Sequence, residues 1–96
     1  MGNIEFSWDN RKARSNLAKH GVSFEEAQTA FLDENARLLD DPEHSEDEDR
    51  FVLMGYSFQA RCLIVSHCYR GSDSVIRIIS ARRATAHEEK DYWRLQ

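Results

Sequence analysis

Between Arg50 and Arg82 the chain carries three β-rich runs with almost nothing between them, and this constrains its fold more than any other feature. Arg50–Phe58 alternates Phe51 and Leu53 with Val52 and Met54. Gln59-Ala60 reads as a tight turn, and Arg61–Arg70 has Leu63-Ile64-Val65 at its centre. A Gly71-Ser72-Asp73-Ser74 turn leads to the third run, Val75–Arg82. β-Branched and aromatic residues fit a pleated surface, and Gly, Ser and Asp punctuate it. Turns this short leave no room for the crossover that parallel neighbours need, so the strands are expected as an antiparallel meander.

Helical signals flank the meander. Residues 4–8 (Ile-Glu-Phe-Ser-Trp) alternate as a short strand, and Asp9 is placed to cap a helix over about Asn10–His20, with Ala13 and Leu17 on its inner face. Gly21 supplies the left-handed stop. Ser23 and Glu26 form a capping box for a second helix, whose stripe Phe24, Ala27, Phe31 predicts an end near Leu32. Residues 36–39 (Ala-Arg-Leu-Leu) read as a short strand, and Asp40 to Asp49, with Pro42, as a solvated loop. Thr85 and Glu88 make another capping box, opening a C-terminal helix. The order β-α-α-(β)-β-β-β-α predicts an α+β fold of one domain, residues 1–96: a meander sheet, two N-terminal helices on one face, and a C-terminal helix.

With 96 residues, 41% of them hydrophobic and 31% charged, the chain has the composition of a small soluble domain with one core. No apolar run approaches the roughly 18–20 residues that span a bilayer, and no cationic, then apolar leader opens the chain, so a cytoplasmic location is expected. Cys62 and Cys68 fall six positions apart in one predicted strand. That is about 20 Å, too far for a disulfide, so they read as buried thiols. Neighbouring His67 would point to the opposite face, which argues against a Cys–His nucleophile pair.

Charge is unevenly spread under a net of -4. Asp33, Glu34, Asp40, Asp41, Glu43, Glu46, Asp47, Glu48 and Asp49 crowd the middle, whereas Arg61, Arg70, Arg77, Arg82 and Arg83 bracket the last strands against Asp73 alone. Guanidinium is permanently charged and presents a planar fork of donors that fits phosphate. Strand parity places Ile76, Ile78, Ser80 and Arg82 on one face, with Arg82 at the edge of a sheet–helix cleft, and Arg77 on the other face near His67. Arg83 could reach either side. The plain alternative is that Arg82 and Arg83 pair with Glu88 and Glu89. Lys19-His20-Gly21 sets a cation beside an imidazole at a helix end, suited either to proton transfer near neutrality or to simple helix capping. Trp8 is either a core aromatic or a base-stacking surface. His44 among the carboxylates of 40–49 lacks the glycine and ligand spacing of a calcium loop, so no metal site is expected. Phosphate-loop, dinucleotide, zinc and paired-carboxylate signatures are absent.

The runs Phe6-Ser7-Trp8-Asp9, Asn16-Leu17-Ala18-Lys19-His20-Gly21-Val22-Ser23-Phe24-Glu25-Glu26-Ala27, Arg77-Ile78-Ile79-Ser80-Ala81-Arg82-Arg83-Ala84-Thr85 and Glu88-Glu89-Lys90-Asp91-Tyr92 resemble, in order and spacing, the BrnT family of bacterial toxins. The resemblance implies a RelE-like fold and a metal-independent endoribonuclease, with no cofactor, that inhibits translation. It implies a BrnA-type antitoxin partner, a toxin–antitoxin heterotetramer, and operator DNA contacted only through the antitoxin. Carried onto this chain, it implies Lys19, His20, Arg70 and Arg82 as catalytic, and Trp8, Arg83 and Arg77 as RNA-binding. A non-catalytic partner-binding or co-repressor module is the alternative.

Overall fold

A computed structural model describes residues 4–40, 50–71 and 74–94. In chain order the elements are β1 (Glu5–Ser7), α1 (Asn10–His20), α2 (Phe24–Thr29), a 3-10 turn (Ala30–Leu32), β2 (Arg37–Asp40), β3 (Arg50–Tyr56), β4 (Cys62–Arg70), β5 (Val75–Arg83) and α3 (Ala86–Arg94). They build one sheet in the order β1-β5-β4-β3-β2. The meander of β3, β4 and β5 is antiparallel, and β2 adds antiparallel to β3. β1 lies parallel to β5, pairing Glu5 with Val75 and Ser7 with Arg77. The acidic stretch 41–49, with His44, and the turn residues 72–73 lie outside the described residues.

Each face of the sheet buries a different cluster. Val22, Phe24, Ala27 and Ala30 pack on Leu53, Leu63, Val65, Ile76, Ile78 and Ala81, and this face holds the main core. Full burial of a side chain such as Phe24, Leu63 or Ile78 contributes about 1.5–3 kcal/mol. On the opposite face Tyr92 of α3 closes over Met54 and Cys62, with Tyr56 and Ile64 at the margin. Cys62 and Cys68 are free, buried thiols.

The predicted caps form, with one departure. Asp9 accepts the Lys12 amide at 3.0 Å, and Gly21, at φ 70, sends its N–H to Leu17 O at 2.9 Å. Thr85 and Glu88 close a full box: Glu88 N–H donates to Thr85 Oγ1 (3.1 Å) and Thr85 N–H to Glu88 Oε1 (2.8 Å). Ser23 accepts the Glu26 amide at 3.0 Å, but the Glu26 carboxylate turns instead to Ser57 and Arg61. The α-helical part of α2 stops at Thr29 rather than near Leu32, and the chain tightens to 3-10 geometry over Gly55. A Cβ on Gly55 would sit 2.9 Å from Ala30 O, so only glycine lets the turn settle there.

Two expectations about facing are corrected. Leu17 is half exposed, and the buried residue of α1 is Asn16. The second correction concerns β5. Ser66 pairs with Ser80 and His67 with Ile78, so Ile79 is an extra residue without a partner on β4. Such a bulge reverses the alternation beyond it. Ile76 and Ile78 face the helices as expected, and so does Ala81. Ser80 and Arg82 therefore emerge on the other face, Arg82 opposite Ile64. His67 does not meet Arg77 on that face. It is fully buried among Phe31, Phe51 and Tyr69.

Candidate active site

The seven residues singled out in the sequence fall into three groups. The first lies where α1 meets β5. β1 ends after Ser7, so the outer edge of β5 beyond Arg77 has backbone groups in need of partners. The Asn16 side chain supplies them: Oδ1 accepts the Ala81 N–H at 3.0 Å, and Nδ2 donates to Ala81 O at 2.8 Å and Val22 O at 2.9 Å. One amide thus continues the ladder that β1 abandons. This seat holds α1 beside the bulge and opens a cleft of about 210 Å³ lined by Lys12, Ser15, Asn16, Lys19, His20, Ile79 and Ser80. Lys19 and His20 are exposed at its rim.

An ion pair between buried Glu26 and half-buried Arg61 fixes the end of α1. Arg61 Nε donates to Glu26 Oε2 at 2.9 Å, its Nη2 also contacts Oε1, and Nη2 donates to Gly21 O at 3.1 Å. The Arg61 hydrogen bond, followed by that of Ser57, outweighs burial and holds the Glu26 carboxyl below its usual range. Arg83, opposite Leu63 on β4, projects to this same helix side, and its charge lowers Glu26 further.

The second group lies on the sheet face away from α1 and α2. Residues directly opposed across a ladder share a face. Arg50, Cys68 and Arg77 form one row across three strands, Ser66 and Ser80 the next, and Ile64 and Arg82 the one after. Arg70 stands at the far end, opposite Val75. Along β4 that places Arg70 about 7 Å from the Arg77 row and about 20 Å from the Arg82 row. The arginines are therefore strung along one face rather than gathered on a single point.

Arg82 is already engaged. Its Nη1 and Nη2 donate to Glu88 Oε1 and Oε2 at 2.8 and 2.9 Å, a two-pronged pair in which the side chains keep 42% and 32% of their exposure. The Arg82 hydrogen bond holds the Glu88 carboxyl down to about 2. Of the plain alternatives, Arg82–Glu88 is present. Glu89 instead accepts from the Tyr56 hydroxyl, which also receives Trp93 Nε1 at 3.2 Å. Burial first, and the Glu89 contact second, raise the Tyr56 pKa. Asp33 completes the anchoring of α3 by accepting Tyr92 Oη at 2.6 Å and the Tyr56 amide at 2.9 Å.

The third group is Trp8 alone. Its half-buried ring meets Phe24 edge-on at 5.9 Å and lines a separate cleft between α1 and α2 with Ala13, Arg14, Leu17 and Glu25. Trp8 lines this cleft, whereas Lys19 and His20 line the one beside β5.

Sequence reasoning missed Lys12, Asn16, Ser80 and Arg50 as neighbours of the site. Arg50 was within reach, since its parity with Val52 and Met54 places it on their face. Among the described residues no three His, Cys, Asp or Glu side chains come together to hold a metal ion, and no helix is long and apolar enough to cross a membrane.

Comparison with known proteins gives this geometry a context. The 1.1 Å crystal structure of the Brucella abortus ribonuclease toxin BrnT superposes with a TM-score of 0.68 at 22% identity, covering 86% of this chain and 99% of that one. At that identity the likeness speaks for the fold, which is RelE-like. None of the curated proteins compared matches the chain. A family model described as the ribonuclease toxin BrnT of type II toxin–antitoxin systems matches residues 8–88. That span runs from Trp8 to Glu88 and takes in α1, the bulge and Arg82. The chain belongs to the BrnT family of ribonuclease toxins of type II toxin–antitoxin systems.

Proposed function

We propose that this toxin is a metal-independent endoribonuclease that draws RNA across the outer edge of β5. One observation carries the reading. β5 bears Arg77 and Arg82 on the face away from α1 and α2, while its Ile79–Ser80 segment lines the cleft that holds Lys12, Lys19 and His20. Two sets of cationic or proton-exchanging groups thus meet at one strand. A positively charged track suits a phosphate backbone, and single strands follow such tracks with little dependence on sequence.

In this reading the ribose 2′-oxygen attacks the adjacent phosphorus. The O2′–P bond forms, the P–O5′ bond breaks, the 2′-hydroxyl loses its proton and the departing 5′-oxygen gains one. The products are a 2′,3′-cyclic phosphate and a 5′-hydroxyl. Arg82 counters the charge that grows on the phosphorane oxygens, and Arg77 and Arg70 hold the strand further along the face. Lys19 and His20 exchange the protons from the α1 side. Arg83, on the helix side of β5, binds a flanking phosphate, and Trp8 stacks a base beyond α1. A BrnA-type antitoxin neutralises the toxin in a heterotetramer and contacts operator DNA.

Incubation of the purified chain with single-stranded RNA in excess EDTA tests the chemistry. Cleavage leaving cyclic phosphate ends is expected, and Arg82→Ala should reduce the rate about 10²–10³-fold without unfolding the protein. Loss of all cleavage in EDTA, or 5′-phosphate ends, overturns the mechanism. Intact RNA alongside tight antitoxin binding favours the non-catalytic module. Co-expression with the product of the neighbouring reading frame, followed by mass measurement, tests the heterotetramer.

A further inference from the structure

The reading above places Arg82 on substrate, and the inference here rests on it. In the free protein Arg82 already holds an anion. Glu88 presents two carboxylate oxygens to Nη1 and Nη2 at 2.8 and 2.9 Å, in the planar fork that a phosphate would offer. We propose that Glu88 is a built-in competitor for the substrate phosphate on Arg82, so that RNA binds by exchanging with it.

The surroundings fit an exchange better than a fixed strut. Arg82 and Glu88 both remain about a third or more exposed, so an incoming phosphate has access. Half-exposed ion pairs are weak, and a polyanion can displace one. α3 does not depend on the pair for its place. Tyr92 is anchored on Asp33, Tyr56 on Glu89, and Tyr92 packs on Met54 and Cys62. When Arg82 changes partner, the helix stays and only side chains move. Glu88 also keeps a second bond, from the Thr85 amide at 2.8 Å, so the released carboxylate is still satisfied as the returning arm of the capping box.

That second bond makes a clean test possible. Glutamine serves the same capping position as glutamate, so Glu88→Gln removes the charge and retains the cap. The full-length wild type, Glu88→Gln, Arg82→Ala and the double variant would be compared at low salt. The readouts are the Kd for a 2′-deoxy-substituted oligonucleotide that cannot be cleaved, and KM and kcat on the all-ribose strand. Glu88→Gln is expected to tighten Kd and lower KM about two- to fivefold with kcat held, and the gain should vanish in the Arg82→Ala background. Arg82→Ala losing cleavage while Glu88→Gln binds no tighter, or loses kcat, overturns the competitor role and leaves the site reading standing. Arg82→Ala cleaving normally overturns both. A thermal melt of Glu88→Gln matching wild type, with Kd unchanged, counts against the proposal rather than against the variant's fold.

Discussion

Asn16 shows how one side chain can substitute for a strand. Its amide satisfies both backbone groups of Ala81 and the carbonyl of Val22, all buried. Asn16→Leu, which matches its size and lacks its hydrogen bonds, should cost about 3 kcal/mol in a denaturant titration, because unmet buried groups are expensive. The sequence pointed to Ala13 and Leu17 as the inner face of α1, since apolar side chains normally seek the core, and of the two only Ala13 packs there. That rule fails where a helix meets a sheet edge, whose free backbone asks for a polar partner. His67 carries a different prediction. Burial lowers its pKa from the usual 6.5, so the folded ring stays neutral where the unfolded one takes a proton. Its contribution is therefore complete above about pH 6.5 and drains away as pH falls toward the depressed folded value. Glu26 and Glu88 are depressed carboxyls; their contributions persist until pH falls below the usual 4.5. Melting temperature against pH should thus decline in two stages, and His67→Phe should abolish the first. A single stage below pH 4.5 in the wild type would contradict the neutral-core histidine.

Elements were legible where the signal was local. The three strands of the meander, the caps at Asp9, Ser23 and Thr85, and the stop at Gly21 are each written within a few residues. The bulge was not, because Ile78-Ile79-Ser80 carries no glycine or turn residue to mark it. Its position depends on register against β4, a long-range property. It decides which face carries Arg82, since without the extra residue Arg82 would turn into the helix side. The two structural glycines separate two kinds of cost. Gly21 has φ 70 with nothing within 4 Å of an added Cβ, so Gly21→Ala should lose about 1 kcal/mol from backbone strain alone. Gly55→Ala drives a methyl to 2.9 Å from Ala30 O, a backbone atom that cannot rotate away, and should lose about 2–3 kcal/mol. Equilibrium unfolding of the two variants checks the ranking.

At the scale of the whole molecule, charge rather than shape organises the faces. A chain of net charge -4 nonetheless sets Arg70, Arg77 and Arg82 along one side of its sheet. If these three neutralise phosphates, log Kd for single-stranded RNA should vary with log salt with a slope of magnitude about 2, and Arg77→Ala should reduce it by about 0.7. A slope near zero would remove the face from RNA binding. Composition could reveal the arginines but not their common side, which again depends on the bulge. The parallel pairing of β1 with β5 carries a last consequence. Glu5 has no strand to join until Val75 exists, and α1 has no seat until Ala81 follows. A growing polypeptide therefore cannot assemble the β5 edge before residues 75–81 have been made. Until then the first twenty residues wait without a sheet to join, and a nascent chain cut short of that stretch cannot bring α1 against β5.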